Sequence, residues 1–212
     1  MTDYLTEQEQ IELFKNWLKQ YSLVIITGII LAILVASGWR YWQQRQANMI
    51  SRASSVYNEM LTLRTQNDSS AALVQAQKLF THYPKTVYAQ MAGLILARNA
   101  ILKNDYPEAE RKFNWVIEHS GVPSIRQIAR IRLARLMIAE NKPKKAIETL
   151  ATVDDSHFNG LTDEIKGDAY LKMKNRIKAR EAYQIALTEL PNAESVRPLL
   201  QMKYETLTTI NP

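Results

Sequence analysis

Residues 22–39 read SLVIITGIILAILVASGW, an apolar run with no charged side chain. A helix of that length rises about 27 Å, close to the hydrocarbon thickness of a bilayer. Tyr21 stands at one end of the run, and Trp39, Tyr41 and Trp42 stand at the other, where interfacial aromatics belong. The pattern predicts one transmembrane helix over residues 21–42. A cleaved signal peptide would begin with basic residues and carry a shorter apolar run. Here Asp3, Glu7, Glu9 and Glu12 precede the run, and Arg40 and the aromatics follow it. Upstream, Thr6 and Glu9 fit a capping box. Ile11, Phe14, Leu18 and Tyr21 then recur at helical spacing beside Leu13 and Trp17. Residues 1–20 therefore read either as a short helix lying on the headgroups or as a disordered tail. Gly28, Ala32 and Ala36 recur every four residues on one face of the span, where small side chains let a second helix approach closely. They are the expected docking face within the membrane.

Beyond Trp39 no proline or glycine interrupts the chain until after Asn67, so a helical arm is expected over residues 43–66. From residue 67 to 212 strand alternation is missing, and helical periodicity comes in paired segments. Gly167, Tyr170, Ala179, Tyr183, Ala186 and Pro191 fit positions 8, 11, 20, 24, 27 and 32 of a tetratricopeptide repeat. Small residues at 8, 20 and 27 let the paired helices touch, and large ones at 11 and 24 fill the layer between pairs. Leu96, Ala97, Ala109 and Phe113 form a second unit, turning at Asn104-Asp105-Tyr106. Leu133, Ala134, Ala146 and Leu150 form a third, turning at Asn141-Lys142-Pro143. Ala72, Leu79 and Pro84 suggest a degenerate first unit that borrows the end of the arm. The position-20 alanines, Ala72, Ala109, Ala146 and Ala179, step by 37, 37 and 33, and the longer steps predict short insertions between repeats. Residues 193–209 would cap the last apolar face. The expected fold is all-α: one N-terminal transmembrane helix followed by a tetratricopeptide-like α-solenoid.

Composition narrows the chemistry. The chain lacks cysteine, which excludes disulfides, thiolate metal sites and cysteine catalysis. The net charge is +6, and the positive excess lies beyond residue 42, because residues 1–20 are acidic on balance. Lys15 and Lys19 before the span face Arg40, Arg45 and Arg52 after it, a balance that does not orient the span. His82, His119 and His157 lie far apart and lack metal-ligand spacing. Asp154, Asp155 and His157 cluster, but in an expected solvated loop. No nucleophile elbow or phosphate-binding glycine loop occurs. The expectation is no enzyme, no metal and no cofactor. Arg126, Arg130, Arg132, Arg135, Lys142, Lys144 and Lys145 form a basic stretch. Its charges wrap around the helix, so solvated faces and local ion pairs are expected rather than a nucleic-acid surface. A membrane-tethered nucleic-acid binder would lose affinity steeply with salt.

Repeat register places positions 2, 5, 9 and 12 of each first helix in a concave groove. These are Met91, Leu94, Arg98 and Ile101 in one unit and Ile128, Ile131, Arg135 and Ile138 in the next. This aliphatic surface with two arginines suits an apolar or amphipathic segment. Tetratricopeptide domains that grip acidic chaperone C-termini are similar in fold but use Lys and Asn in the groove. Leu94, Arg98, Ile131 and Arg135 depart from that pattern.

The layout of span, arm and degenerate repeats resembles the YfgM family of Gram-negative bacteria. The local matches are Gly38-Trp39-Arg40-Tyr41-Trp42, Ile131-Arg132-Leu133-Ala134-Arg135-Leu136, Lys166-Gly167-Asp168-Ala169-Tyr170-Leu171 and Met202-Lys203. The resemblance implies an ancillary subunit of the Sec translocon (SecYEG) in the bacterial inner membrane, with a cytoplasmic N-terminus and periplasmic repeats. It implies as partners the translocon and a membrane-anchored periplasmic chaperone resembling a prolyl isomerase, with exported polypeptides passing to chaperones. The competing expectation is a repeat scaffold for another cytoplasmic or envelope assembly, unrelated to export.

Overall fold

The computed structural model describes residues 7–190 and 197–209. Thr6 of the expected capping box, Pro191 and Ala193 lie outside the described residues. The described residues form helices joined by short turns and loops, with no strand among them: α1 (Glu7–Thr65), α2 (Ser69–His82), α3 (Val87–Leu102), α4 (Tyr106–His119), α5 (Pro123–Ala139), α6 (Pro143–Thr149), a 3-10 turn at Ser156–Phe158, α7 (Asn159–Lys172), α8 (Arg176–Glu189) and α9 (Arg197–Thr209). The chain divides into two compact units, Met1–Ser51 and Arg52–Pro212, the boundary falling inside α1.

In the first unit α1 carries the apolar run with its side chains uncovered: Leu23 is 76% exposed and Val35 65%. Among the described residues no single helix is long and apolar enough to cross a membrane. The segments Gln10–Val24 and Ile26–Thr65 together meet that length and composition as a bent pair.

The second unit is a series of helical pairs: the end of α1 with α2, α3 with α4, α5 with α6, and α7 with α8. One turn joins the helices of every pair. Asn67, Asn104, Asn141 and Lys174 all take φ between 60° and 63° there. Left-handed backbone at the residue after a helix lets the next amide reach back to an orphan carbonyl. The bonds are Asp68 N–H to Leu63 O, Asp105 N–H to Ala100 O, Lys142 N–H to Met137 O and Asn175 N–H to Tyr170 O, at 2.8–3.0 Å. That next residue then starts the second helix. The side chains of Asp68, Asp105 and Asn175 accept from the N–H groups of Ala71, Glu108 and Lys178. At the third turn Lys142 makes no side-chain cap, and Pro143 opens the helix instead.

The left-handed residues step by 37, 37 and 33, as the alanines do. The added residues do not form inserted loops. Most of the difference lengthens the first helix of a pair: α3 and α5 have 16 and 17 residues, where α7 has 14. In the third pair α6 has only 7 residues, and the stretch 150–158 follows it. Ala97, Ala109, Ala134, Ala146, Ala179 and Ala186 are fully buried, and the facing Phe113, Leu150 and Tyr183 are all but inaccessible. Gly167 is needed for this approach, since a Cβ there would run into the Tyr183 ring. Helix α9 covers the last apolar face, burying Leu200 and Leu207 in a cluster with Tyr183 and Ala186.

Candidate functional site

The second unit has a cleft of about 640 Å³ lined chiefly by α3 and α5. Its apolar surface comes from Leu94, Ile95 and Ile101 of α3, Phe113 of α4, and Leu136 and Ala139 of α5. Four cations line it as well: Arg64 from the last turn of α1, Arg98 from α3, and Arg132 and Arg135 from α5. Tyr106, at the start of α4, is the remaining lining residue. No carboxylate lines the cleft. A smaller recess of about 260 Å³ between α2 and α3 shares Arg64, Ile95 and Arg98 with it, so the two are continuous.

The charge in this cleft is largely uncompensated. Among the described residues Arg64, Arg98 and Arg132 have no ion-pair partner. Arg135 reaches Glu164 of α7 only at 3.9 Å. Burial, followed by repulsion from Arg135 and Arg98, lowers the Arg132 guanidinium below its ordinary value.

The rest of the basic stretch behaves otherwise. Asp154 receives Arg126 Nε at 3.0 Å and Arg130 Nε at 2.7 Å. Its backbone N–H donates to Gln127 Oε1, and Gln127 is fully buried and donates in turn to Thr162. Asp155 accepts from Ser124 Oγ and His157. The segment at 150–158 is thus pinned onto α5 by ion pairs, where a solvated loop was expected. Burial opposes the charge on Asp154, but the hydrogen bonds from Arg130 and Arg126 outweigh it and hold the carboxyl below its ordinary value. Lys203 of α9 makes a second polar cluster. Its Nζ donates to Glu164 at 2.9 Å and to Asp168 at 2.8 Å, and Tyr183 Oη also donates to Asp168 at 2.7 Å. Among the described residues no group of three or more His, Cys, Asp or Glu side chains converges as a metal site would require.

Of the residues expected in the groove, Leu94, Arg98, Ile101 and Arg135 line this cleft. Met91 is exposed outside it. Ile128 and Ile138 pack half-buried against the core, and Ile131 is part of the core itself. The arginines that register did not indicate are Arg64 and Arg132. Arg132 faces this cleft, while Arg126 and Arg130 on the same helix pair with Asp154. In the first unit Gly28, Ala32 and Ala36 share a shallow depression on α1 with Leu31, Val35, Trp39 and Arg40.

A family model described as a tetratricopeptide repeat-like domain matches residues 15–209. The chain belongs to this family. Relatives similar along most of the chain bear out the resemblance to the YfgM family. A protein of Neisseria gonorrhoeae named "Ancillary SecYEG translocon subunit" is 29% identical over 209 residues, covering 98% of this chain and 100% of the relative. Proteins of the same name from Haemophilus influenzae and Escherichia coli are 28% and 23% identical. The first covers 86% of this chain and 89% of the relative, the second 98% and 99%.

Proposed function

We propose that the chain is a non-enzymatic adaptor of the Sec translocon. In this reading the apolar run of α1 anchors it in the bacterial inner membrane, with the N-terminus in the cytoplasm and the repeats in the periplasm. The repeat domain receives a membrane-anchored periplasmic chaperone resembling a prolyl isomerase, or an emerging exported polypeptide, in the cleft between α3 and α5. The observation that carries the reading is the end-to-end similarity to relatives named for that assembly. Two features of the chain support it. The run at 22–39 has no cover within its own unit, and apolar surface on that scale calls for lipid or a partner helix. The cleft is concave, apolar and cationic, the character of a peptide site rather than of a catalytic one.

The test is co-isolation. Full-length tagged protein taken from membranes in mild detergent should bring SecY with it. A Gly28→Leu, Ala32→Leu variant, which fills the shallow face of the span, should recover several-fold less. Recovery of the wild type without SecY, with the complex otherwise intact in the extract, would contradict the proposal.

A further inference from the structure

We infer that the cleft between α3 and α5 reads side-chain carboxylates, so that its occupant is an acidic amphipathic segment of a partner protein. This rests on the adaptor reading and names the chemistry of what that site takes. The case begins with charge. Arg64, Arg98 and Arg132 converge on one recess without an ion-pair partner among the described residues, and Arg135 has only a distant one. All four arginines keep contact with solvent, yet like charges brought together oppose folding, and the repulsion of Arg135 and Arg98 already weighs on Arg132. The fold does not require them. Ending α1 accounts for Arg64, since a cation favours a helix C-terminus. Arg132 stands two turns before the end of α5 and has no such reason. On the same helix Asp154 neutralises Arg126 and Arg130. The cleft lacks that counter-charge, so its complement is an anion from outside.

The surroundings choose among anions. Leu94, Ile101, Phe113 and Leu136 form an apolar surface beside the guanidinium heads. A bare phosphate would leave that surface wet. A lipid bilayer cannot enter a recess. A single-stranded nucleic acid calls for exposed aromatic platforms; of the two lining aromatics Phe113 is buried, which leaves Tyr106 to stack on. A segment with leucine-like side chains on one face and carboxylates flanking them satisfies both parts. Guanidinium heads drawn from three helices match carboxylates spaced along a segment better than the single carboxylate of a chain end.

The probe is a fluorescent 14-residue peptide, blocked at both ends, with leucines at helical spacing and glutamates between them. A second peptide has glutamine at every glutamate. Titrated into the full-length chain in neutral detergent, the glutamate peptide should bind roughly tenfold or more tightly than the glutamine one and weaken as salt rises. Arg98→Gln with Arg132→Gln should abolish that preference while leaving the melting temperature unchanged or higher. Equal affinity for both peptides would overturn carboxylate reading and leave the groove as a binding site. A double variant that keeps the preference would overturn it too, by placing the binding elsewhere. A lower melting temperature of the double variant would make the arginines structural and overturn it. A 12-nucleotide single strand that displaces the peptide at lower concentration would replace it with a nucleic-acid site. Failure of both peptides to bind would remove the groove reading as well.

Discussion

A few residues set each turn of the repeat domain. Asn67, Asn104 and Asn141 accept left-handed backbone because a short amide side chain bonds locally and tolerates that conformation. Two of these turns were legible as Asn104-Asp105 and Asn141-Lys142. The fourth was not, because Lys174 carries no turn preference, and only the repeat distance and the Asn175 cap mark it. A paired prediction follows. Asn104→Val should lower unfolding stability by about 1–2 kcal/mol, since a β-branched side chain at φ 60° is strained. Lys174→Gly should raise stability by up to about 1 kcal/mol, because glycine occupies that region without strain. Denaturant unfolding of both variants in the same detergent checks the opposite signs. The small-to-large pairing of positions 8 and 24 was equally legible, and Gly167 under the Tyr183 ring is its tightest instance.

Helix number, order and pairing followed from the spacing of small and large residues. Helix length did not, since the 37-residue steps suggested insertions, most of which turned out to extend α3 and α5. The clasp on α5 was hidden for another reason. Asp154 lies 24 and 28 residues from Arg130 and Arg126, and no local pattern reports such a pair. Its carboxyl is held below the ordinary value, so its contribution is complete above that value, near 3.8. It is lost as pH falls through the depressed one. Asp154→Asn should therefore cost about 1–3 kcal/mol at neutral pH and flatten the acid limb of the stability profile, measured as unfolding midpoint against pH. An unchanged acid limb would show that the clasp contributes nothing. Lys203 works in the other direction. Burial opposes its charge, but Asp168 and Glu164 outweigh burial and raise its value above 10.5. Its stabilisation is complete at and below neutrality and declines only as pH rises through the raised value. Lys203→Met leaves Glu164, which is 4% exposed, with only the distant Arg135, and should cost about 3 kcal/mol, freeing α9 first in hydrogen exchange.

For the whole molecule, the sequence pattern showed an apolar run ahead of a helical solenoid, and repeat register pointed to four of the residues lining the cleft. It could not show that the cleft opens between the facing edges of α3 and α5. That offset brings Arg132, Leu136 and Ala139 to the wall and leaves Ile131 in the core. Nor could it show that Arg126 and Arg130 are neutralised while Arg132 is not, because that depends on where the segment at 150–158 folds. The proposed role joins these parts only if the repeats lie on the side to which proteins are exported. The deciding measurement is protease digestion of cells with a permeabilised outer membrane, following a tag at the C-terminus. The adaptor account predicts that the tag is lost while a cytoplasmic control protein stays intact. A protected tag would place the repeat domain in the cytoplasm and contradict a role in receiving exported chains.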